Sequence, residues 1–265
     1  MIGEPAPLDA HICYRDRVAN AQIAAGAALD VAASTLETSG VTSLLQALTR
    51  DVWISNVDRF EPDDLGDTPA SLGFQAYQNF TQRALRRASG DPREVAEKHW
   101  AIEEFTVGAP KNVLTLSFNG NRIIVLKVPF AQGRQADFSQ LAAWENQSDA
   151  RARMAARNTQ VLGGYVAPAP GQDALFSTHS KPGVVHDFIL AWAGEQRSGL
   201  TAGWLGVPVQ GENPFLVSRR LWWDEEKDHG IAGSTAPSST TPFDERPVTA
   251  PSITLKPRPA GEGRA

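Results

Sequence analysis

An α+β fold, with a helical first half packed on an antiparallel sheet of about five strands, is what this sequence predicts. Apolar residues recur at helical spacing up to residue 107, and from residue 108 they alternate with a period of two. Asn-Gly, Gly and Pro separate the alternating runs as turns would. The expected core is one α+β domain over 1–229, helical in 1–107 and sheet-containing in 108–229. The Pro/Ser/Thr-rich stretch 230–265 lacks periodic apolar residues and reads as a disordered tail.

Each element follows from its own pattern. Between Leu8 and Thr38, Val18, Ala25, Leu29, Ala32 and Leu36 form one helical stripe whose small residues permit close packing. Leu44, Leu45, Leu48 and Val52 give a second, shorter helix after Thr38-Ser39-Gly40. The acidic, breaker-rich stretch Glu61 to Pro69 is a loop, and its Asp63, Asp64 and Asp67 lack the oxygen spacing of a calcium loop. A third helix places Phe74, Tyr77, Thr81, Ala84, Leu85 and Ala88 on one face, with Arg83, Arg86 and Arg87 turned towards the other. Asp91-Pro92-Arg93-Glu94 has the pattern of a helix start: Asp91 as cap, Pro92 at the first position, Glu94 bonding back to the cap amide. A fourth helix is therefore expected from there through Trp100.

Leu114, Leu116 and Phe118, then Ile124, Leu126 and Val128, flank Asn119-Gly120 as a β-hairpin with a type I′ turn. Helical spacing returns as two short helices between Asp137 and Leu162. Val184–Trp192, Leu200–Val209 and Phe215–Trp223 then make a three-strand antiparallel meander. Hairpin and meander together form the expected sheet.

Composition narrows the function. The 265 residues carry a net charge of −5, which disfavours a protein held on nucleic acid by overall electrostatics. Cys13 is the single cysteine, so neither an intramolecular disulfide nor a thiolate-rich zinc site can form within the chain. The segment Met1 to Pro5 lacks the pattern of a secretory leader, and no apolar run reaches the roughly 18 residues that span a bilayer, so a cytoplasmic protein is expected. Neither a phosphate-binding glycine loop nor a G-x-S-x-G nucleophile turn is present, and no cofactor is expected.

Four histidine and carboxylate positions define a metal alternative. His99 and Glu103 stand four apart on the expected fourth helix, with His179 and His186 available from later segments, the makings of a metal-dependent hydrolase. Alternation places His186 on the apolar face shared by Val184, Phe188, Leu190 and Trp192, where a neutral packed imidazole with a polar partner is the competing expectation. Arg93 and His99 also resemble, in their spacing, the Arg-to-His pair of the HEPN ribonuclease family, which acts near a scissile phosphate. That resemblance covers one short helix and implies catalytic roles for Arg93 and His99 within a helical bundle.

Arg219-Arg220-Leu221-Trp222-Trp223 points instead to binding, because Trp and Arg dominate interaction hot spots. Strict alternation puts Arg220 and Trp222 on one face and Arg219 and Trp223 on the other. The island Ile253 to Pro259 in the tail is a second candidate for ordering on a partner. The leading expectation is a non-catalytic intracellular protein-binding or regulatory protein, an adaptor or neutralising partner, that engages a protein through Arg219, Arg220, Trp222 and Trp223. Single-stranded nucleic-acid binding through Arg83, Arg86, Arg87, Arg219 and Arg220, with stacking tryptophans, is a further alternative.

Overall fold

A computed structural model describes residues 9–130, 136–138, 141, 149–163, 183–211 and 213–224. The chain divides into two units, Met1–Glu226 and Lys227–Ala265. The expected tail, with its Ile253 to Pro259 island, and the first of the two short helices expected after Asp137 lie outside the described residues or largely so.

Helices α1 (Asp9–Thr38), α2 (Val41–Val57) and α3 (Pro69–Ser89) come first. The buried stripe of α1 is Ala21, Ala25, Leu29, Ala32, Ala33 and Leu36, close to the expected one. On α3 the buried face is rotated from expectation: Leu72, Ala76, Phe80 and Ala84 enter the core, while Phe74 is exposed. A capping box between Thr68 and Ser71, with Pro69 in the first turn, starts this helix.

The expected fourth helix does not form. Gly90, at φ 67°, ends α3 in the left-handed conformation, and the Asp91 amide donates back to the Arg86 carbonyl at 3.0 Å. That amide is the group Glu94 would have had to cap. The Asp91 carboxylate instead accepts the Arg93 amide at 2.9 Å as a local turn, and only a 3-10 turn, Ala96–Lys98, follows. Glu94 is drawn into an ion network described below.

The sheet has six strands in the order of the chain: β1 (Thr106–Gly108), β2 (Thr115–Phe118), β3 (Asn121–Lys127), β4 (Asp187–Gly194), β5 (Thr201–Pro208) and β6 (Phe215–Trp223). Asn119 and Gly120, at φ 47° and 73°, make the hairpin turn between β2 and β3 as expected. The meander β4–β5–β6 is antiparallel, also as expected. Two corrections apply to the sheet. Strand β1 adds a sixth member, and three residues are too few to show alternation. The second is that β3 and β4 pair in parallel, Arg122 opposite Asp187 through Lys127 opposite Trp192. A parallel pair needs a long crossover, and the connection between β3 and β4 contains α4 (Asp149–Val161).

Both faces of the sheet are used. On the first, Phe188, Leu190 and Trp192 of β4 and Leu205 and Val207 of β5 join the apolar stripes of α1, α2 and α3 in one cluster. On the second, Ile124 and Ile189 pack against Met154 of α4, and Ala191 and Ala193 against Val128 and Leu141. Two glycines mark where indoles lie close to the backbone. A Cβ at Gly194 would stand 2.3 Å from the Trp53 ring, and one at Gly203 would stand 2.3 Å from Trp222.

Candidate binding surfaces

Strand β6 is an edge of the sheet, and a register shift there changes which side chains share a face. Trp222 lies opposite Gly203 but Arg220 lies opposite Trp204, so Leu221 is the extra residue of a β-bulge. Strict alternation is broken at that point. Arg219 and Trp222 therefore fall on the helix-covered face and Arg220 and Trp223 on the second face, correcting the expected pairing. Arg219 donates to Asp30 at 3.2 Å and to Glu37 at 3.3 Å on α1, and Trp222 is buried with its indole N–H donating to Thr201 Oγ1 at 3.3 Å.

On the second face Phe130, Phe138, Trp204, Phe215 and Trp223 are each half-buried and meet edge to face, with ring centres 5.2 to 6.4 Å apart. The exposed Arg220 guanidinium lies over the Trp223 ring at 5.3 Å and has no carboxylate partner among the described residues. Such a stack holds a guanidinium in place while its N–H edges remain free.

The histidines are not brought into a common site. His99 Nε2 lies 3.1 Å from the Asp91 carbonyl, beyond the end of α3. Glu103 is exposed in the irregular stretch that follows, so the helical spacing behind the metal alternative is absent. His186 precedes β4, is exposed, and lies 3.3 Å through Nδ1 from Asn121 Oδ1 at the hairpin. The apolar face of Phe188, Leu190 and Trp192 forms as expected, but Val185 and not His186 joins it. His179 lies outside the described residues. Among the described residues no three His, Cys, Asp or Glu side chains are grouped to hold a metal. The HEPN resemblance loses its helix as well, since Arg93 is exposed and paired with Asp91 at 2.6 Å.

A second surface was not read from the sequence. Between α2, α3 and the turn at residues 91–98 lies an open cleft of about 510 Å³, lined by Arg59, Arg83, Arg86, Arg93 and Lys98 with Glu94 as the lining acid. Arg87, expected on the outer face of α3, is buried behind it. It donates to Asp51 at 2.7 Å and Glu94 at 3.4 Å, and Lys98 reaches Asp51 at 2.6 Å. Arg83 and Arg86 also reach Glu94, at 3.2 and 3.4 Å. Burial acts to raise the Asp51 and Glu94 carboxyls, but hydrogen bonds from Lys98 and Arg87 on the first, and from Arg83 on the second, outweigh it and hold both below the usual range.

The nucleic-acid alternative needed these arginines and the tryptophans on one surface. Helix α3 packs on β1 and β3, whereas Trp222 and Trp223 are on β6 at the far edge. They do not form the single basic and aromatic track that stacking on an unpaired strand requires.

Asp187 on β4 accepts from Arg122 at 2.6 Å and from Arg157 of α4 at 2.7 Å, while Asn158 donates to the Asp187 and Pro208 carbonyls at 2.9 Å each. These bonds fix α4 to the sheet. Among the described residues Lys127 has no carboxylate partner. Its ammonium lies 4.8 Å from the Trp53 ring centre and 5.6 Å from that of Trp192, and burial lowers its pKa to about 8. Arg151 on α4 has Nε and Nη2 buried without a hydrogen-bond partner among the described residues.

Among the described residues no helix is long and apolar enough to cross a membrane. No protein-family model, curated protein or solved structure matches this chain.

Proposed function

We propose that this is a non-catalytic protein-binding or regulatory protein that engages a polypeptide partner through the second face of its sheet at the β6 edge. The observation that carries the reading is the cluster of five half-buried aromatic rings ending in the Arg220–Trp223 stack. Large rings held in mutual contact lose little entropy on docking, and further burial of one ring is worth about 1–3 kcal/mol. Arg220 defines the partner's chemistry. A guanidinium already held in place and lacking an acid favours a carboxylate on the partner, beside an apolar side chain that covers Trp223 and Phe130.

The bulge and the two arginines also bear on how a partner docks. A bulge and edge charges obstruct strand addition, so the partner meets the ring face of the sheet and does not extend its ladder. Arg219 and Trp222, by contrast, are used within the fold.

Tagged wild-type protein and the Arg220→Glu and Trp223→Ala variants, each checked for an unchanged circular dichroism spectrum, are compared as baits in lysate of the native host. A protein identified by mass spectrometry that is retained by wild type and lost from both variants is the expected result. The same retained proteins on all three baits, or none on any, would remove the reading.

A further inference from the structure

We infer that the cleft between α2, α3 and the 91–98 turn is a binding site for the phosphate group of a small molecule, separate from the aromatic surface on β6. The charge inventory leads to it. Arg59, Arg83, Arg86, Arg93 and Lys98 line the cleft with Glu94 as the lining acid, and Arg87 lies behind them, in a chain whose net charge is −5; Asp51, Asp91 and Glu94 are the three carboxylates these cations bond. Each of the three carboxylates is already engaged. Glu94 serves three arginines, Asp51 serves Arg83, Arg87 and Lys98, and Asp91 serves Arg93. Arg59, at the end of α2 on the cleft wall, has no acid among the described residues.

Hydrogen-bond geometry adds a second, independent observation. Arg86 Nε is buried and has no partner among the described residues, although its Nη2 lies 3.4 Å from Glu94. A buried guanidinium N–H left without an acceptor is costly, and the usual resolution is an acceptor supplied from outside the chain. The walls are also fixed before any ligand arrives. Asn79 donates to Asn56 Oδ1 at 2.8 Å, Asn56 donates to the Val52 carbonyl at 2.7 Å, and the Arg87–Glu94–Asp51 network ties the turn to both helices. Donors so held lose little freedom on binding.

Phosphate suits this arrangement better than a carboxylate. Its tetrahedral oxygens take paired N–H donors from more than one guanidinium fork, and its second charge matches the local excess. The volume of about 510 Å³ leaves room beyond one phosphate for an attached organic group, within the range of about 300–1,000 Å³ of small-ligand clefts.

Isothermal titration calorimetry of the full chain at low salt, with pyrophosphate and with adenosine diphosphate as probes, tests the site. Both probes are expected to bind with a Kd below about 1 mM, and affinity is expected to fall about tenfold in Arg59→Ala and to weaken as salt rises. A tenfold preference for adenosine diphosphate would assign part of the cleft to the organic group, and equal affinities would assign it to the phosphates alone. Arg59 makes no ion pair among the described residues, so its variant leaves the network intact. An Arg86→Lys variant, which keeps the charge but removes the fork, is expected to bind more weakly than wild type. Neither probe binding at about 10 mM, or equal binding by wild type and both variants, would overturn the assignment.

Discussion

The two faces of the sheet differ in what covers them, and their exposure follows from that. Towards α1, α2 and α3 the central strands present Phe188, Leu190, Trp192, Leu205 and Val207, all buried. Towards α4 the same strands present Ile189, Ala191, Ala193 and Gly206, and near β6 it is aromatic rings that lie over this shallow surface. A Cβ at Gly206 would stand 2.5 Å from Phe215. Helices α1, α2 and α3 cover the first face, including the indoles over Gly194 and Gly203, whereas the rings near Gly206 on the second face stay half-buried. The first face therefore accounts for stability, and the second keeps unspent apolar area beside a charge.

Truncation on the two faces separates those roles. Phe80→Ala, on the first face and fully buried against Trp192 at 5.4 Å, is expected to lower stability by about 3–5 kcal/mol in urea unfolding. Trp223→Ala on the second face should cost about 1 kcal/mol, and equal losses at the two sites would dissolve the contrast. Arg87→Met comes next. Removing a buried cation from between Asp51 and Glu94 should cost about 3 kcal/mol at pH 7. Both carboxyls are held below their unfolded values of 3.8 and 4.5, so the stability they contribute is present above that range and is lost as pH falls through their lowered values. The urea midpoint of wild type should fall on acidification more than that of Arg87→Met; parallel acid profiles would count against the network.

Lys127 is the exception on the first face. The folded chain releases this proton near pH 8 and the unfolded chain near 10.5, so the unfolded state binds more protons between those values and stability rises with pH across that window. Below it the folded state holds a desolvated ammonium, offset in part by the two indole rings. Lys127→Met is expected to raise stability at pH 7 by about 1 kcal/mol and to gain less by pH 10, as read by thermal melting. A variant less stable than wild type at both pH values would show that the ring contacts outweigh the burial.

Local chemistry that acts alone was legible in the sequence. Asn119-Gly120 specifies its turn without help from elsewhere, and the stripe from Ala25 to Leu36 faces one way whatever it packs on. Competition for a single group was not. The Asp91 amide suits a capping box until α3 ends one residue earlier and claims it for the Arg86 carbonyl. Alternation held in β6 only from Val217 to Arg220 and failed at Leu216 and Leu221, because a bulge depends on the partner strand. The cleft was the least legible feature. Arg59, Arg83 and Arg93 come from three segments that only the packing of α2 on α3 brings together, although Lys127 had a readable sign in sharing its parity with the buried Ile123 and Val125.

The parallel pairing of β3 with β4 also shapes how the chain assembles. Strands β1 to β3 and strands β4 to β6 are each joined by short local turns, so each set can condense by itself within a small span of chain. Uniting them requires closing the loop from 128 to 186, the largest entropic step in building the sheet and the natural bottleneck of its folding. At the first rung of that seam Arg122 stands opposite Asp187 and bonds to it, so the two halves meet with a charged latch that penalises any slipped alignment.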